Sequence, residues 1–220
     1  MIETQVLKVD PQHPQPEVVE RAGAAIRKGE LVAFPTETVY GLGADAFNER
    51  AVARVFEVKG RPANNPLPVQ IASIGDLPKL AVDIPGAARR LMDAFFPGPL
   101  TLVLCASPHV PHIVTAGTGK VGVRMPDHPV ALALIREAGT PIVAPSANIS
   151  GQSPPTTAEE VLAYLDGKIE LILDSGPARL KVVSTVVDLA ERPYKVLRRG
   201  AITEDALAPY LGARAMEPGA

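Results

Sequence analysis

The chain has no tryptophan, a single cysteine, an aromatic content of only 4% and no marked excess of either charge. With no tryptophan and few other aromatics, core volume must come mainly from the Ala, Val, Leu and Ile that make up most of its 46% hydrophobic residues. Such residues pack as interleaved strands and helices, and 220 residues suffice for one sizeable α/β domain. Cys105 lies in the apolar run "LTLVLCAS" with no second cysteine to bridge to, which predicts a reducing compartment and a small buried side chain. No apolar stretch approaches the roughly 20 residues that span a bilayer, and "MIETQVLKVD" lacks a basic start followed by an apolar core. A cytoplasmic protein with no membrane partner is expected. A formal net charge of −2 excludes a surface that traps polyanions everywhere, so any basic site must be local.

Three familiar site templates are also missing. "TAGTGKV" has Val114 where a phosphate loop needs glycine and Val121 where it needs Ser or Thr. His109 and His112 stand in a proline-flanked loop without Cys, Asp or Glu near them in sequence, which is no metal pattern. "APSANISG" lacks the Gly-x-Ser-x-Gly frame of a nucleophile elbow, so Ser146 needs a role other than covalent catalysis.

What is present is an alternation of periods. "PEVVERAGAAIRKGE" puts Val18, Val19, Ala22 and Ile26 on one helical face, and "LVAFP" follows as a buried strand. "TETVYGLGADA" reads as a loop. "NERAVARVFEVKG" is a helix capped by Asn48 and stopped at Gly60, leading into the strand "PLPVQIA". "GAARRLMDAFF", "HPVALALIREAG" and "TEDALAPYL" read as helices, and "LTLVLCA", "VGVRMP", "PIVAPSAN", "LILDSG", "STVVDL" and "YKVLRRG" as strands. Thr157 and Glu160 have capping-box spacing before "VLAYL". Strands and helices alternate early and strands cluster late, which predicts a mixed, twisted open sheet flanked by helices. One domain over 1–212 with a flexible tail over 213–220 is expected.

Polar residues gather where these strands end: Thr36, Thr38, Lys59, Arg61, Arg124, Ser146, Asn148, Ser184 and Arg198. Ligands of α/β sheets collect at such ends, so the set suggests one composite pocket. Arg124 interrupts an apolar strand, where a guanidinium either meets solvent or grips a planar anion. Lys59 and Arg61 close a helix whose C-terminus favours cations for structural reasons as well. Four separated cationic points suggest a polyanionic small ligand such as a nucleoside triphosphate.

"FPTETVYGLGADA", "KGRPANNPLPVQI", "FFPGPLTLVL", "VGVRMPDHPV", "PIVAPSANISGQSPPT", "STVVDL" and "VLRRGAI", in this order over residues 16–202, resemble the YrdC-like domain of the threonylcarbamoyl-AMP synthase family. The resemblance implies a YrdC-like fold with a central cationic groove, in its short single-domain form. It implies synthesis of L-threonylcarbamoyladenylate from L-threonine, bicarbonate and ATP, with release of pyrophosphate. A downstream complex then moves the threonylcarbamoyl group to adenosine 37 of certain tRNAs, and a weak tRNA contact is conceivable. By the resemblance, threonine falls to Thr38, Gln70, Arg124, Ala144 and Ser184. ATP falls to Arg61, Asn65, Lys120, Ser146, Asn148, Pro154 and Arg198, with Lys59, Arg61 and Arg124 as the catalytic cations. Magnesium is expected on the ATP phosphates rather than in a preformed protein cage. Two positions depart from the family: Gln70 stands where many members have His, and Lys120 where Thr or Ser is common. Two alternatives stay open, an RNA-binding module with a basic groove and a related carbamoyladenylate-forming domain.

Overall fold

In a computed structural model, residues 2–211 are described. The expected tail over 213–220 lies outside them. The elements in chain order are β1 (Gln5–Lys8), α1 (Pro16–Arg27), β2 (Val32–Phe34), β3 (Gly41–Asp45), α2 (Glu49–Lys59), β4 (Val69–Gln70), α3 (Leu77–Leu80), α4 (Gly86–Phe95) and β5 (Leu100–Cys105). They continue with α5 (His112–Thr115), β6 (Lys120–Arg124), α6 (Pro129–Ala138), β7 (Ile142–Val143), α7 (Ala158–Leu165), β8 (Leu171–Asp174), β9 (Thr185–Asp188), β10 (Lys195–Arg198) and α8 (Glu204–Leu211). The strands form one sheet in the order β1-β8-β2-β3-β7-β4-β6-β5-β9-β10. Pairing is mixed, as expected: β4 and β6 run parallel, as do β5 and β9, whereas β7 is antiparallel to β4 and β5 to β6.

Alternation along the strands builds a core on each face. Val32 and Phe34 point toward α1 and α6, joining Ile26, Leu134 and Ile135, whereas Leu31 and Ala33 point the other way, into the larger cluster with Leu42, Val52 and Val55. The helix ends follow local chemistry. Asn48 accepts from Ala51 N at 3.2 Å, and Gly60 takes the left-handed conformation (φ 57°) that closes α2. Thr157 caps α7 by accepting from Glu160 N, but Glu160 returns its carboxylate to Thr156 N, one residue further back than a reciprocal capping box places it.

Two strands depart from the sequence reading. "GLGAD" belongs to an apparent loop by composition and forms β3 instead. Its Gly43 sits where a Cβ would come within 3.0 Å of the Phe34 ring and of Val32 O, so close packing, not strand propensity, selects glycine there. β1 arises from the opening "QVLK", a short and mostly exposed edge strand paired parallel to β8.

Candidate functional site

β4 and β6 end side by side, with Gln70 in register with Arg124, and Ala144 follows β7 with its N–H on Pro68 O. Beyond these ends lies a cavity of about 430 Å³, within the usual span of small-molecule sites. Thr38, Gln70, Arg124, Ala144 and Ser184 all line it, and so do Arg61, Asn65, Lys120, Ser146 and Arg198. Ten positions from six separate sequence motifs, counting Lys120 with the motif it directly precedes, therefore line one cavity.

Part of the cavity wall offers matched polar atoms. Thr36 donates its hydroxyl to Val39 O at 2.7 Å, so in the 2.8 Å contact between Thr36 and Thr38 it is Thr38 that donates. The lone pairs of Thr38 Oγ1 are then available to an incoming donor. Gln70 is 3% exposed, and its Oε1 has no hydrogen-bond partner among the described residues, a second waiting acceptor. Arg124 donates Nε to Gly98 O at 3.2 Å. Its Nη2 lies 2.7 Å from Glu37 Oε2, close enough for an ion pair yet out of line for a hydrogen bond.

Two further lining residues, Arg61 and Arg198, are cations without an ion pair among the described residues. Arg61 donates Nε to Asn65 O (2.9 Å) and Nη2 to Asn65 Oδ1 (2.7 Å) and Pro66 O (2.8 Å), bonds that bend the proline-rich strip "RPANNP" around its own guanidinium. Arg198 donates to Ser184 O and Oγ, and Ser184 is also bonded to Thr101 at 2.9 Å. Burial lowers the pKa of both arginines, with Arg198 adding to the effect on Arg61 and Arg124 to that on Arg198. Lys120 differs: Asp188 at 3.1 Å and Glu191 at 3.2 Å hold its pKa above the ordinary value, chiefly through the Asp188 hydrogen bond. The expected cationic groove is thus partly neutralised, with carboxylates standing against Lys120 and Arg124.

Three sequence-derived positions are not among the lining residues. Pro154 is exposed outside the cavity. Lys59 is buried behind the wall, where its ammonium donates to Ser146 O (2.5 Å) and Asn148 O (2.6 Å), and burial followed by Arg61 lowers its pKa to about 8. Asn148 donates Nδ2 to Ile149 O and Gln152 O, both at 2.8 Å. Lys59 and Asn148 therefore brace the loop that presents Ser146. Sequence reasoning missed Glu37 and Asp188. The available signal for Glu37 was an acid within a mainly apolar stretch, matched by the equally isolated Arg124.

The geometry defines an α/β ligand-binding domain whose cavity opens where the strands of a mixed sheet end. The chain belongs to the Sua5/YciO/YrdC family, whose model, described as "Telomere recombination", matches residues 24–200. It is 52% identical over 197 residues to the threonylcarbamoyl-AMP synthase of Pyrococcus abyssi, covering 90% of this chain and 58% of that protein. It is 51% identical to the Bacillus subtilis protein of the same name, covering 88% and 56%. The chain thus spans less than three fifths of these two relatives. The solved structure of P. abyssi Sua5 complexed with L-threonine superposes with a TM-score of 0.92 at 49% identity, covering 94% of this chain and 61% of that one.

Proposed function

We propose that this domain makes L-threonylcarbamoyladenylate from L-threonine, bicarbonate and ATP, releasing pyrophosphate, as a step toward threonylcarbamoyladenosine at position 37 of tRNA. The observation that carries this reading is one cavity whose lining combines hydrogen-bond acceptors, a guanidinium held against a carboxylate and two arginines without an ion pair among the described residues. Hydrogen-bond acceptors beside a paired arginine suit an amino acid, and the unpaired Arg61 and Arg198 suit phosphates. The likeness to a threonine-bound Sua5 supports the first assignment.

The threonine amine combines with bicarbonate to form a carbamate and water. A carbamate oxygen attacks the α-phosphorus of ATP, and the bond from that phosphorus to the bridging oxygen breaks as pyrophosphate leaves. No covalent protein nucleophile is required, so the demands are orientation and charge stabilisation. Arg124 takes the threonine carboxylate, and Thr38, Gln70 and Ser184 orient the amino acid against Ala144. Arg61, Arg198 and Lys120 meet the phosphates with Asn65 and Ser146, while Lys59 and Asn148 hold the Ser146 loop. Pro154 takes no part in the cavity as it stands.

Among the described residues no cluster of three or more His, Cys, Asp or Glu side chains could hold a metal ion. The cavity's lining carboxylate, Asp188, is engaged by Lys120. Magnesium would arrive on the triphosphate, held by phosphate oxygens beside Arg61 and Arg198, and would supply neutralisation of phosphate charge. Its downstream partner would be a tRNA-modifying transfer complex, in the cytoplasm. Threonine-dependent release of pyrophosphate from ATP by the purified chain tests the reading, and ATP turnover indifferent to threonine contradicts it.

A further inference from the structure

Glu37 is placed at a cost that the fold does not recover. It is 1% exposed, both its carboxylate oxygens lack a hydrogen-bond partner among the described residues, and its one ion pair is with Arg124. A buried charge so poorly hydrogen-bonded stabilises a fold less than an apolar residue of similar size would. The position is also hard to reach. Glu37 follows β2, which stands four places from β6 in the sheet order, so its carboxylate meets a guanidinium carried by a strand that is no neighbour of its own. His128 is the other titratable group that feels Glu37, and burial lowers its pKa, which leaves Arg124 as the cation Glu37 balances.

We propose that Glu37 is a charge-balancing specificity residue, which makes the Arg124 end of the cavity select a zwitterion over an anion bearing the same carboxylate. This rests on the functional reading above. With Glu37 behind it, the guanidinium contributes no net charge to that end, so a bare carboxylate leaves the end negative. An amino acid brings its own ammonium, and Thr38 Oγ1 and Gln70 Oε1 supply acceptors for it. The arrangement also favours Arg61 and Arg198 over Arg124 for phosphates, since neither has such a counter-charge among the described residues.

The test compares L-threonine with 3-hydroxybutanoate, which lacks the amine, as ligands of the wild-type chain and of Glu37→Gln, by titration calorimetry. Attraction between unit charges about 7 Å apart at an effective dielectric of about 20 corresponds to roughly 50-fold in affinity. The preference for threonine should therefore fall at least tenfold in Glu37→Gln. Loss of Arg124 positioning weakens both ligands alike and leaves the ratio unmoved, so the ratio separates charge balance from a structural role. An unchanged ratio in a variant that still binds threonine overturns the inference and leaves the functional reading intact. Failure of the wild-type chain to bind threonine overturns both. Should Glu37→Gln not fold, equal affinity of the wild-type chain for the two ligands overturns the inference, and a strong preference for threonine upholds it.

Discussion

Replacing Arg124 with alanine should separate threonine use from ATP use. A charge-assisted hydrogen bond to a bound carboxylate is worth roughly 1.5–3 kcal/mol, so threonine use should weaken about ten- to more than a hundredfold. Arg61 and Arg198 are untouched, and the concentration of ATP needed for half-maximal rate should move by less than about threefold. Arg124→Ala also strands Glu37, which is 1% exposed. Removing one partner of a buried pair costs about 3–5 kcal/mol. With an unfolding entropy of about 2.1 cal/mol/K per residue, 220 residues convert that to a fall in Tm of about 6–11 °C. Arg124→Ala with Glu37→Gln should recover much of the lost stability and none of the lost threonine use. The assay is pyrophosphate release against threonine and against ATP, run well below the lowered Tm. Equal losses for both substrates, or an unchanged Tm, would refute the assignment.

Gln70→Leu removes a buried acceptor with no internal partner, so thermal stability should hold or rise while threonine affinity falls about tenfold, measured by calorimetry. Gly43→Ala forces a methyl against the Phe34 ring and Val32 O, and about 1–3 kcal/mol of stability should be lost in a urea titration. Lys59 has its pKa lowered from 10.5 to about 8 by burial, so the unfolded chain binds the extra proton between those values. Stability should therefore rise from pH 8 toward 10.5, by up to about 3 kcal/mol, a rise absent in Lys59→Met. A flat profile in the wild-type chain would show that the two carbonyls on the ammonium offset burial.

The helices and long strands were legible because their apolar periods are regular, from the Ile26 face of α1 to the alternation along β5. β3 was not, since a strand chosen for closeness of approach uses glycine, and glycine reads as loop. The polar cluster at strand ends was visible as a set of residue types, and the cavity brings seven of its nine members together. What sequence could not convey was which way a side chain turns. Lys59 and Arg61 are two residues apart at the end of α2, yet Arg61 lines the cavity and Lys59 points to backbone carbonyls behind it. Nor does spacing reveal long-range charge pairing: Glu37 with Arg124, and Lys120 with Asp188, arise from sheet order alone.

The central claim is that carbon from bicarbonate joins threonine to adenylate in this cavity. Incubating the chain with ATP, magnesium, L-threonine and ¹³C-bicarbonate, then weighing the nucleotide product by mass spectrometry, tests it directly. The account predicts an adenylate of the threonylcarbamoyl mass carrying one ¹³C, with pyrophosphate release that stops when bicarbonate is withheld. An adenylate without the label, or pyrophosphate release that persists without bicarbonate, would contradict it.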